Sequence, residues 1–172
     1  MSSMFRILAV VLGMALASPG DAVPAATTPK SLQKGDAAVP FVAETLRRQT
    51  IDLEDHRGKV VLLQFWASWC SGCVEGLPDL RALYEKHSRN GFEIVGISLD
   101  EDPRAARRTL AEFGVSWPQV CDGKGHDGDI ATRYGVRGTP RFVLIGRDGR
   151  IQAPYVRPSE LDHAVSALLE SE

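Results

Sequence analysis

Cys70 and Cys73 stand in the segment Trp69-Cys70-Ser71-Gly72-Cys73, and thiols at that spacing can close a small disulfide ring. The chemistry they offer is thiol–disulfide exchange. A thiolate attacks a disulfide, and the neighbouring thiol then displaces the captured partner. Val60–Trp66, just before them, is a nearly continuous apolar run of strand length, and apolar residues recur at helical spacing just after them. The first sulfur therefore falls at a helix start, where unpaired backbone N–H groups and the dipole favour a thiolate. The second falls one turn later. This order assigns Cys70 as the attacking thiol and Cys73 as the resolving thiol, with Ser71 and Gly72 as the spacer between them. Zinc sites use the same spacing but need two further ligands. Cys121, His56, His87, His126 and His163 are the remaining His and Cys residues, none in a paired motif, so no metal and no other cofactor is expected. A c-type haem site needs His after the second cysteine, where Val74 stands. A Cu(I)-binding module built on the two thiolates is the non-enzymatic alternative.

The elements that must position this pair alternate between strands and helices. Phe41–Leu53 reads as a hairpin turning at Arg47-Arg48-Gln49. Val60–Trp66 reads as a central strand covered on both faces. Residues 71–90 read as one helix, kinked where Pro78 removes a backbone donor. Phe92–Leu99 is a second apolar strand. Asp102-Pro103 then opens a helix with the buried stripe Ala106, Leu110 and Phe113. Trp117–Cys121 reads as a short strand, in which Cys121 is a buried small hydrophobe, a redox partner or the source of an intermolecular disulfide, and Asp129–Tyr134 reads as a short helix. Asp122–Asp129 lacks the ligand spacing of a calcium loop and is read as a flexible loop near the site. Arg141–Ile145 and Ile151–Val156 flank Arg147-Asp148-Gly149-Arg150, a hairpin signal, and Ser159 with Asp162 reads as the capping box of a last helix. The order implies an α/β fold with a central mixed sheet flanked by helices.

The rest of the chain sets limits. Among 172 residues, 20 Lys and Arg oppose 22 Asp and Glu, which gives no electrostatic case for nucleic acid. Met1–Ala17 combines one charge, Arg6, an apolar run over Ile7–Ala17 and a small-residue end at Ala15-Leu16-Ala17. It reads as a secretory signal peptide or an uncleaved N-terminal anchor, because a bilayer span needs about 20 apolar residues. Residues 18–34, rich in Pro, Ala, Thr and Ser, read as a flexible linker, and the folded domain is expected over 35–172.

Phe65-Trp66-Ala67-Ser68-Trp69-Cys70-Ser71-Gly72-Cys73, Pro78, and Tyr134-Gly135-Val136-Arg137-Gly138-Thr139-Pro140 together resemble the thioredoxin superfamily. The extra αβ unit over about 101–122 and the N-terminal hairpin resemble its TlpA/ResA-like branch, on an AhpC/TSA-type redoxin scaffold, exported to the bacterial periplasm. The resemblance implies a thioredoxin-like fold and a cis Thr139–Pro140 bond facing the cysteines, where the Thr139 backbone pairs with an extended substrate. Trp69 then walls the active site, and Trp66 belongs to the core. It also implies a thiol–disulfide oxidoreductase that reduces disulfides of exported proteins and takes electrons from a membrane donor, with a monomer favoured. Oxidant or isomerase activity and a thiol peroxidase are the enzymatic alternatives, although neither cysteine has the upstream Pro and Thr of a peroxidatic site. Two residues depart from the pattern. Gln64 stands where thioredoxins bury an acid. Gly76 stands where the exported branch carries Glu, leaving Glu75, one position earlier, as the replacement proton acceptor.

Overall fold

Every residue of Val60–Trp66 is buried. This run is β3, the middle strand of a five-stranded sheet in a computed structural model that describes residues 31–171. The other strands are β4 (Phe92–Ser98), β5 (Gln119–Val120), β6 (Arg141–Ile145) and β7 (Ile151–Ala153), in the spatial order β5-β4-β3-β6-β7. β3, β4 and β5 run parallel, whereas β6 and β7 add antiparallel pairs on the other side. A strand buried on both faces has no polar side to show water, which is why this segment reads as continuous apolar sequence. Val61, Leu63 and Phe65 pack one face with Val143, Ile130 and Tyr134. Val60, Leu62 and Trp66 pack the other with α1 (Ser71–Glu75), α2 (Leu77–His87), α3 (Pro103–Glu112) and α5 (Leu161–Glu170).

Gln64 lies on this second face, 1% exposed, and it is neutral for a visible reason. Its Oε1 accepts from Trp117 Nε1 at 3.2 Å, while Trp66 Nε1 donates to Gln119 Oε1 at 2.9 Å. The two amides satisfy two buried indoles across Gly96, which pairs with both Gln64 and Gln119 in the ladder. A Cβ on Gly96 would run into the Gln119 amide. Gly96→Ala is therefore expected to lower the unfolding free energy by about 2–4 kcal/mol, through overpacking plus the lost indole bond. A urea titration followed by tryptophan fluorescence measures it, and an unchanged midpoint would contradict this packing.

β1 (Val42–Glu44) and β2 (Thr50–Asp52) form the expected hairpin, a separate two-stranded sheet joined to the main one through the Thr45–Val120 bridge. Three local readings need correction. The expected kinked helix is two helices, α1 and α2, divided at Gly76, and Pro78 lies in the first turn of α2. A proline there sacrifices no hydrogen bond, since the first N–H groups of a helix have no intrahelical acceptor. Ser159 and Asp162 form no capping box. A single 3₁₀ turn over Pro158–Glu160 precedes α5, and Asp162 instead binds Lys86 Nζ at 2.7 Å, tying α5 to α2. β5 and β7 are shorter than the apolar runs that announce them. Met1–Ala17 and most of the linker lie outside the described residues.

Candidate active site

The parallel strands deliver their carboxyl ends to one edge of the sheet, and antiparallel β6 begins at that edge. β3 leads into Ala67-Ser68-Trp69-Cys70, β4 into Leu99-Asp100, and β5 into Cys121. Asp100 is 2% exposed and grips the turn before the cysteines. Its carboxylate accepts from Ser68 N at 3.0 Å, from Ser68 Oγ at 2.5 Å and from Ser98 Oγ at 2.7 Å. A buried carboxylate is tolerated when several donors replace its water. Two of those donors, Ser68 N and Ser68 Oγ, belong to the turn that carries Cys70, so Asp100 sets the path of the chain into α1.

Cys70 is the N-cap of α1, with its N–H donating to Ala67 O at 3.1 Å and its carbonyl accepting from Cys73 N at 2.9 Å. The two cysteines are joined as a disulfide with their Cα atoms 5.2 Å apart. Their surroundings differ: Cys70 is half-buried at the rim, whereas Cys73 is 3% exposed. Ser71 and Gly72 are exposed, and Trp69, 61% exposed, stands beside Cys70 with its ring 6.4 Å from that of His126. His126 belongs to the loop expected near the site, which forms a 3₁₀ turn over Gly125–Asp127. A cavity of about 330 Å³ reaches Cys73 between α1, α2 and the start of α5, lined in part by Gly76, Asp79, Leu80 and Phe142. Glu75 is exposed on α1 and makes no hydrogen bond or ion pair among the described residues. Two carboxylates share a cavity with Cys73, those of Asp79 and Asp162, and the second is held by Lys86.

Across the edge, the ladder pairs Phe65 with Arg141, which brings half-buried Thr139 and Pro140 to the level where β3 ends. The peptide bond between them is cis. Arg141 and Tyr155, neither of which the sequence patterns single out, continue this wall. The Arg141 guanidinium lies 5.4 Å from the Tyr155 ring centroid, and Tyr155 is 51% exposed.

Cys121 follows β5 instead of lying within it, and it is half-buried. Its Sγ donates to Asp100 O at 3.3 Å. Burial pushes this thiol above its ordinary range, with the Asp100 and Asp122 charges adding to the effect and hydrogen bonds from Ser98 and Gly123 opposing it. A raised pKa means less thiolate at any given lower pH. In the reduced protein, iodoacetamide at about pH 7.5 should therefore alkylate Cys121 roughly tenfold or more slowly than Cys70, the gap closing in alkali. Mass mapping of the alkylated peptides reads this directly, and equal rates would contradict it.

Residues 18–169 match the Redoxin family. Thiol-disulfide oxidoreductase ResA of Bacillus thuringiensis subsp. konkukian (strain 97-27) is 34% identical over 125 residues, which cover 73% of this chain and 70% of that protein. ResA of Bacillus subtilis (strain 168) is 31% identical over 122 residues, covering 71% and 66%. Among solved structures, the thioredoxin domain of a thiol-disulfide oxidoreductase from Bacteroides vulgatus superposes with a TM-score of 0.75 at 29% identity, covering 81% of this chain and 100% of that one. A thiol:disulfide interchange protein from Bacteroides sp. does so with a TM-score of 0.73 at 29% identity, covering 83% and 93%.

Proposed function

Because the chain belongs to the Redoxin family and is a thiol–disulfide oxidoreductase related to ResA, we propose that its Cys70–Cys73 pair reduces disulfides of exported proteins. The observation that carries this reading is the asymmetry of the pair: one sulfur at the rim and the other 3% exposed behind it. In the reduced enzyme the Cys70 thiolate attacks a substrate disulfide. A bond forms between Cys70 Sγ and one substrate sulfur, the substrate S–S bond breaks, and the departing thiolate takes a proton. The Cys73 thiol then loses its proton and attacks Cys70 Sγ, closing the ring and releasing the second substrate thiol. Two electrons pass from enzyme to substrate, and a membrane dithiol donor restores the reduced pair.

Each remaining residue has a place in this reading. Trp69 shields the attacking sulfur, and the Thr139 backbone next to Pro140 pairs with the extended substrate. Ser71 and Gly72 keep the rim free of bulk. Gly76 leaves the cavity at Cys73 open, so the proton of Cys73 passes to water or to Asp79, with Glu75 turned to solvent. Met1–Ala17 exports the chain to the periplasm as a signal peptide or holds it there as an anchor, residues 18–34 tether it, and residues 35–172 act as a monomeric thioredoxin-like domain. Mixing the reduced domain with a disulfide-bonded protein, and the oxidised domain with the same protein reduced, gives the direction. Reductase function requires both mixtures to settle with the substrate dithiol and the Cys70–Cys73 disulfide predominant, so the reduced domain reacts and the oxidised domain leaves the reduced substrate largely unchanged. Net oxidation of the substrate would overturn it in favour of a disulfide donor.

A further inference from the structure

Arg141 follows Pro140 directly and sits half-buried at the edge of the sheet where the dithiol lies. Among the described residues its guanidinium makes no hydrogen bond and no ion pair, and its Nε–H is buried without an acceptor. Its contact is with the Tyr155 ring, 5.4 Å away. A guanidinium is among the most demanding groups to leave unpaired, since it carries five donors in a planar fork. Arginines in the same region are otherwise occupied: Arg133 holds Asp129 and the Pro40 carbonyl, and Arg157 holds Glu160. Arg137, exposed two residues before Thr139, is a second cation with no acidic partner among the described residues.

The Tyr155 ring lies against the Arg141 guanidinium, and among the described residues no acceptor meets its two Nη groups, which leaves them for an incoming group. The group that fits it is a carboxylate, which accepts two parallel N–H bonds and neutralises the charge. We infer that Arg141, held by Tyr155, is a specificity-determining residue that selects disulfide substrates carrying a carboxylate close to the reacting cysteine. This rests on the reductase reading of Cys70–Cys73 and adds the kind of partner that site takes. Exposed Trp69 and Tyr155 offer apolar contact to the same segment, so the preferred substrate is an extended, acidic and partly apolar stretch flanking a cysteine.

The test uses C-terminally amidated peptides, each with one cysteine held as a mixed disulfide with 2-mercaptoethanol. Glu or Gln is placed at successive positions on either side of the cysteine. One further peptide has Gln throughout and a free C-terminal carboxylate, which separates a side-chain source of the charge from a chain terminus. At low salt the reduced protein should favour the best-placed Glu peptide over its Gln twin by about tenfold in kcat/KM, the scale of one charge-assisted hydrogen-bond pair. Arg141→Gln should bring that ratio close to one and Arg141→Lys should keep part of it. Arg89→Gln, in the turn before the opposite end of β4, should leave it unchanged. If Arg141→Gln does not fold, salt decides the matter in the native protein, because about 0.5 M salt screens the pair and should shrink the ratio. A Glu-to-Gln ratio near one at every position, with normal turnover of hydroxyethyl disulfide, overturns the selectivity and leaves the reductase standing. No turnover of hydroxyethyl disulfide or of any peptide overturns both.

Discussion

Cys73→Ser is expected to stall the enzyme after its first step, with the substrate left covalently attached to Cys70. The variant keeps the rim sulfur and loses the one that closes the ring, so the mixed disulfide has no internal exit. Incubated with a disulfide-bonded protein, it should accumulate a one-to-one adduct that dithiothreitol releases. Cys70→Ser should form no adduct and lose turnover by on the order of 10³-fold or more, since the remaining sulfur is 3% exposed. Intact mass spectrometry separates the outcomes. An adduct on Cys70→Ser but not on Cys73→Ser would exchange the two roles, and that would be hard to reconcile with Cys73 lying behind the rim.

The second large effect is expected at Asp100, which neither touches substrate nor belongs to the dithiol motif. Asp100→Leu keeps the approximate volume and removes the acceptor for Ser68 N, Ser68 Oγ and Ser98 Oγ. Buried donors stripped of their acceptor should cost about 3–5 kcal/mol of stability. Asp100→Asn retains an acceptor oxygen and turns its amide toward hydroxyls that can themselves accept, so its cost should be smaller, about 1–3 kcal/mol. It also removes one of the negative charges that raise the Cys121 thiol, so the pKa of that thiol should fall. Urea titrations of Asp100→Leu, Ser68→Ala and the double variant complete a cycle, and the coupling should be strong because the residues share hydrogen bonds. Additive losses would mean that Asp100 does not hold the turn through Ser68.

Much of the site was legible because its signals are local. The dithiol is five consecutive residues, the apolar run of β3 fixes what precedes it, and Thr139–Pro140 sits in a short motif of its own. Residues whose meaning depends on a distant partner were not legible. Asp100 reads as an ordinary acid after a strand until Ser68, 32 positions away, meets it at the sheet edge. Arg141 reads as the first residue of a strand until Tyr155 stacks on it. Gln64 reads as a missing acid, and its neutrality makes sense only beside Trp117 and the Gln119–Trp66 pair across Gly96. The helix boundaries failed for related reasons. Gly76 and Pro78 are close enough to compete as the break, and a proline in a first turn needs no kink. Asp162 had a partner on another helix that outbid Ser159.

The central claim is that Cys70–Cys73 is a two-electron couple poised to reduce. The reduction potential of the pair, read from tryptophan fluorescence in thiol buffers of graded poise, tests it most directly because Trp69 stands beside Cys70. A single two-electron transition at about −230 mV or lower is the expected result, in the range of dithiols that act as reductants. A transition at about −120 mV would contradict it and make the protein a disulfide donor.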